Sequence, residues 1–263
     1  MSTWTVTILV SLASAIVFSA LTLLGGAMQP LVMLWQPATI ALLFLAGQSF
    51  LFLAVKMGDV SIVAPVLGIK VLLVPAIGTL LVSEFPELRI WLASAIAMLG
   101  VAFVQITDAN VKRTAIISAL IFALLCALSM TFFDLLIQRW APAWGAGRFL
   151  PITFAFVGLF SLAFLPWADR PREVIRRGNA TVLLVGTVLM AIQAIGMTFT
   201  LAQFGDATRV NIVYSLRGIW GVCLTWLLAG LAHESGEQPS SRTMLMRLIG
   251  ALLIGASVAI SVT

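Results

Sequence analysis

Residues 58–84 read GDVSIVAPVLGIKVLLVPAIGTLLVSE, an apolar run long enough to cross a bilayer that carries one lysine, Lys70. Lys70 lies nine residues past Ser61, so at the helical rise it sits roughly 13 Å into a hydrocarbon core of about 30 Å. A charge at that depth costs at least about 2.5–3.5 kcal/mol, and few helices carry it without a use for it. Residues 205–230 echo the pattern: GDATRVNIVYSLRGIWGVCLTWLLAG also opens on Gly-Asp, with Ser or Thr two residues later. Each copy places a cation eleven residues after its acid, Asp59 to Lys70 and Asp206 to Arg217. Matching cations inside two similar spans read as an internal repeat.

Composition sets the class. Of 263 residues 61% are hydrophobic and only 10% charged, against about 25% charged in soluble domains. The expected fold is all-α, a polytopic membrane helical bundle, because the apolar runs are too long for barrel strands. The net charge of +5 does not point to nucleic acid, since the basic residues sit in short loops beside apolar spans. Cys126 and Cys223 fall within spans and read as small apolar fillers. The N-terminus reads as a retained first span, without the basic n-region or cleavage site of a signal peptide.

About nine spans can be drawn: 4–24, 34–55, 61–82, 89–106, 114–137, 149–167, 181–203, 208–230 and 244–262. Gly58-Asp59 and Gly205-Asp206 punctuate them, the glycine closing one helix in αL while Asp, Ser61 or Thr208 caps the next. Nine loop cations (Lys56, Lys112, Arg113, Arg170, Arg172, Arg176, Arg177, Arg242 and Arg247) fall on one side, against Arg89, Arg139, Arg148 and Arg209 on the other. The positive-inside rule then puts the N-terminus in the cytoplasm and the C-terminus outside, in what is expected to be a bacterial inner membrane. Spans two to four match spans seven to nine. An odd number of steps separates each pair, so partners cross in opposite directions and form an inverted-topology repeat. The expected halves are 1–108, with four spans, and 109–263, with five, within one membrane domain.

The stretch AVKMGDVSIVAPVLGIKVLLVPAIGTLLVSE resembles the EamA-like drug/metabolite transporter superfamily, with Ala54, Gly58, Ser61, Pro65 and Glu84 at the motif positions. Residues 91–104 (WLASAIAMLGVAFV) and 248–259 (LIGALLIGASVA) are similar to the closing glycine-containing helix of each half. The resemblance covers nearly the whole chain and implies an inverted-repeat transporter fold. That family usually has five plus five helices with both termini in the cytoplasm, whereas this chain reads as four plus five. The nine-span NIPA-type magnesium transporters are also similar in the A-P-x-x-V helix.

Asp134 is the only carboxylate inside any span, and one acid neutralises two cations poorly. Lys70 and Arg217 are therefore the candidate anion site, the bland alternative being structural pairing or snorkelling. Asn211, Tyr214 and Ser215 precede Arg217, and Gln48 and Gln193 lie in the spans before each copy, as pocket lining or as ordinary helix glue. Tyr214 is the only tyrosine and sits one turn before Arg217. Trp220 is a further candidate, while Trp4, Trp140, Trp144 and Trp167 read as belt anchors. Pro65 and Pro75 bracket Lys70, as kinks or as ordinary membrane prolines. His233, with Glu234 and Glu237, reads as loop.

No phosphate-binding, zinc-protease, CxxC or catalytic-triad motif occurs in the sequence, so the chain reads as no enzyme, with no catalytic residue, metal or cofactor. The expected function is secondary transport or flipping of a small anionic or amphipathic metabolite, the halves rocking about a midplane site. Its partners would be that small molecule and membrane lipid, with a homodimer open. The competing readings are a non-transporting subunit or assembly factor, and a cation or drug exporter, which would need acids at depth.

Overall fold

Side chains that are mostly Leu, Val, Ile, Ala and Phe leave the backbone no water to bond, and a helix satisfies each N–H and C=O within its own segment. A computed structural model of the chain describes residues 2–58, 60–82, 85–105, 113–169, 180–220, 223 and 241–262. Among these the helices are α1 (Thr3–Ser19), α2 (Trp35–Met57), α3 (Val60–Gly68), α4 (Lys70–Leu81) and α5 (Leu88–Val104). They continue with α6 (Arg113–Trp144), α7 (Ala146–Ser161), α8 (Ala180–Phe204), α9 (Ala207–Tyr214) and α10 (Ser241–Val262). Short 3-10 segments, Ala20–Leu24 and Leu162–Trp167, extend α1 and α7, and no strand occurs among the described residues.

Seven helical stretches are long and apolar enough to cross a membrane, from Thr3–Leu24 to Arg242–Val262, and Leu88–Val104 is a shorter apolar helix. Together these eight correspond to eight of the nine expected spans. Of the remaining one, 208–230, only residues up to 220 and residue 223 are described. Asp59, Glu84, the basic residues of 170–177 and the His233 cluster also lie outside the described residues. The buried hydroxyls of Thr131 and Thr153 settle on carbonyls of their own helices, donating to Ala127 and Phe149 at 2.8 Å. Leucines such as Leu80, Leu184 and Leu252 are exposed, as expected where the outer solvent is lipid.

Three local readings change. The fifth span continues seven residues past 137 to Trp144 and turns only at Gly145, whose φ of +76° suits glycine. Trp144, read as a belt residue, is buried and its Nε1–H donates to Gln36 Oε1 at 2.9 Å. Gly205 ends its helix at φ +64° as expected, but Gly58 takes no left-handed conformation. Gly58 is small for another reason: it packs on the Ala119 methyl.

The chain forms two compact units, Met1–Leu53 with Phe132–Asp206, and Ala54–Thr131 with Ala207–Thr263. Each gathers helices from both sides of residue 108. The first unit is aromatic at its centre: Phe18 stacks on Phe154 with centroids 3.6 Å apart, and Phe44 meets Phe154 edge-on at 5.1 Å. Asp169 closes its N-terminal end, accepting the Ser2 amide at 2.5 Å and the Thr5 hydroxyl at 3.3 Å. The second unit is built of small residues. One cluster joins Val71, Ile90, Ala93, Ala97 and Ile212, and another joins Ala54, Val63, Ala119 and Ala123. α5 crosses α10 where Gly100 and Gly250 bring backbone against backbone, the close approach that small residues allow in membranes.

Candidate functional site

In both cation-bearing spans the α-helical ladder is interrupted by a short tightened turn immediately before the cation, with Ile69 itself still right-handed helical (φ −57°, ψ −27°). α3 ends at Gly68, Ile69 forms a turn, and α4 starts at Lys70. α9 ends at Tyr214, Ser215 and Leu216 form a turn, and helix resumes at 217–220. The backbone tightens to i−3 bonds at both places: Ile69 N–H to Val66 O at 3.1 Å, and Leu216 N–H to Val213 O at 3.0 Å. Local chemistry permits this. Gly68 and Gly218 flank the breaks, and Ser215 turns its hydroxyl back to Ile212 O at 2.5 Å, competing with the helical ladder.

The breaks also share a support. A Cβ at Gly68 would meet Val101 Cγ1 at 2.8 Å, and one at Gly218 would meet Val104 Cγ1 and Ile254 Cδ1 at 3.5 Å. Val101 and Val104 are one turn apart on α5, so both broken spans lean on the same part of that helix. Val71, directly after Lys70, and Ile212 of α9 belong to one buried cluster. Lys70 is half-buried and Arg217 exposed, both in the second unit.

The polar lining is uneven. Arg217 Nη1 donates to the Tyr214 hydroxyl at 2.7 Å, and its Cζ lies 4.3 Å from the Tyr214 ring centroid. This holds the guanidinium over the phenol. Arg89 pairs with Glu87 at 2.6 Å, whereas no acid among the described residues pairs with Arg217. Asn211 is buried and donates to Ala207 O at 2.9 Å, which makes it a helix-internal bond. Trp220 is 69% exposed. Gln48 and Gln193 belong to the first unit. There Gln48 is buried, accepting the Ser11 hydroxyl at 3.5 Å, and Gln193 is exposed.

Cys126, read as a small apolar filler, is buried on α6, where it continues a stripe of small residues, Ala119 and Ala123, that packs on α3.

Apolar helices of this length and number define a multi-pass α-helical membrane protein. No family model and no curated protein matches the chain. A crystal structure of another protein does: it superposes on 99% of this chain and 87% of its own with a TM-score of 0.73, at 16% sequence identity. At that identity the likeness speaks for the fold alone.

Proposed function

We propose that the protein is a secondary transporter or flippase of drug/metabolite transporter type that moves a small anionic or amphipathic metabolite, held near the midplane by Lys70 and Arg217. The observation that carries this reading is that two helices break immediately before a cation and rest on one turn of α5. Interrupted helices near the midplane are how transporters expose backbone and side-chain donors to a substrate. An exposed guanidinium in a span costs at least about 2.5–3.5 kcal/mol in hydrocarbon, so it is better placed toward water or an anion. The Gly100–Gly250 contact supports matched, inverted halves, since each glycine lies in the closing helix of its half. In this reading the N-terminus is cytoplasmic and the C-terminus outside, in a bacterial inner membrane.

The test is transport itself. Anionic metabolites that raise the melting temperature of the purified protein are offered to proteoliposomes, and saturable uptake is expected. Lys70→Ala and Arg217→Ala should each reduce uptake to background while eluting as folded protein. Lys70→Arg and Arg217→Lys should do less damage but alter substrate preference. Uptake by both alanine variants at the wild-type rate would refute the reading.

A further inference from the structure

The continuation of α6 past residue 137 changes the place of Asp134. A span ending at 137 would leave that carboxyl near its edge, whereas ten residues, roughly 15 Å of helix, separate it from Trp144. In a hydrocarbon core of about 30 Å that is mid-depth. Asp134 is 1% exposed, and Phe133, Leu135 and Ile137 around it are buried as well. Phe133 meets Phe44, Phe44 meets Phe154 and Phe154 stacks on Phe18, so the carboxyl leaves α6 at the aromatic layer of the first unit. On its own helix Thr131 and Gln138, one turn before and one turn after, are buried polar neighbours. The other charged residues among the described part of this unit are Arg139, Arg148, Asp169 and Asp206, and none is buried. α1, α8 and the part of α2 in this unit carry no charged side chain.

A lane of hydroxyls leads toward the same layer. Thr3, Thr7, Ser11 and Ser14 are buried at one-turn intervals on one face of α1. At the start of the lane Asp169 accepts the Ser2 amide and the Thr5 hydroxyl. At its other end Ser14 lies one turn from Phe18, and Ser11 donates to Gln48, one turn from Phe44. Thr7 donates to Thr3 O at 3.1 Å, as ordinary helix hydroxyls do. The buried hydroxyls of Ser14 and, on α2, Ser49 have no hydrogen-bond partner among the described residues. Packing alone seldom leaves buried hydroxyls unused, whereas a path for water uses them. We propose that Asp134 is the site at which the protein takes up and gives up a coupling proton, reached along the hydroxyl face of α1. The proton site stands on this geometry, and its coupling role rests on the transport reading above. The carboxylate takes a proton from hydronium, leaving water and a neutral acid, and returns it to water in the reverse step. A mid-depth aspartate is costly as an anion, and the bound proton removes that charge. Asp134 is the third residue of the share of α6 that belongs to the first unit, so its change of charge acts on the helix that both units share.

The experiment reads the proton directly, by infrared spectroscopy of the full-length purified protein in lipid as pH is stepped through the range in which it stays folded. The wild type should show a carboxylic-acid C=O band that falls and returns reversibly with pH and is lost in Asp134→Asn. Asp134→Glu should keep a titrating band at a shifted frequency, which makes the assignment even if the Asn variant does not fold. No acid band from residue 134, or one that stays constant at every pH, overturns the proposal. In heavy water the band should shift by exchange, and Ser11→Ala with Ser14→Ala should slow that exchange about tenfold, the effect of one or two lost hydrogen bonds. Exchange at the wild-type rate in that double variant overturns the route along α1. No substrate enters the measurement. A titrating Asp134 in a protein that fails the uptake test would sink the coupling role with the transport reading and keep the proton site. A silent Asp134 in a protein that takes up anions would sink the proton site alone.

Discussion

Gly100 and Gly250 face each other across the α5–α10 crossing, and neither has space for a side chain. A Cβ at Gly100 would lie 2.9 Å from Gly250 O and 3.0 Å from Ile254 N, and one at Gly250 would lie 2.7 Å from both Gly100 O and Val104 N. These obstacles are backbone, which cannot swing aside as a side-chain tip can. Gly100→Val or Gly250→Val should therefore cost about 1–3 kcal/mol, the usual range for overpacking, read as lost midpoint in a denaturant titration in detergent. Gly255, on the same helix, meets nothing within 4 Å, and Gly255→Ala should be neutral or slightly stabilising. Equal losses at 100 and 255 would contradict the crossing. At this scale the sequence was partly legible. Both crossing glycines stand in the two helices read, by resemblance, as closing each half. Trp144 was not legible: a tryptophan near a span end suits an interface belt, and only the Gln36 partner explains its burial.

Broken helices were the feature least visible beforehand. The spans 61–82 and 208–230 read as continuous because Ile69 and Leu216, which sit at the breaks, are apolar and compatible with helix. The hints lay in the neighbours Gly68, Ser215 and Gly218, residues equally common as packing contacts. The proline reading went only part of the way. Pro65 and Pro75 both lie within helices rather than at the break between them. Another element owes its start to a residue far along the chain. α1 has no side-chain cap of its own, and Ser2 and Thr5 instead bond Asp169. A carboxylate at a helix N-terminus satisfies otherwise orphaned donors. Asp169→Ala should therefore cost about 0.5–2 kcal/mol and speed hydrogen exchange in the first turn of α1, leaving α10 unaffected. Unchanged exchange there would show that the cap is dispensable.

The whole molecule differs from a simple pairing of sequence halves. Each compact unit draws on both halves, and the unit holding Lys70 and Arg217 contains both broken spans and both closing helices. Equal Asp-to-cation spacing suggested a repeat, while the share each unit takes of α6 follows only from packing. The central claim is that Lys70 and Arg217 act at one place. A charge-swap cycle on thermodynamic stability tests it most directly, using Lys70→Glu, Arg217→Glu and the double replacement. If the two positions face each other, each single swap puts an acid against a cation, while the double swap restores like charges. The account predicts a coupling of at least about 1 kcal/mol favouring the single swaps. Additivity within about 0.3–0.5 kcal/mol, as found for distant sites, would contradict it.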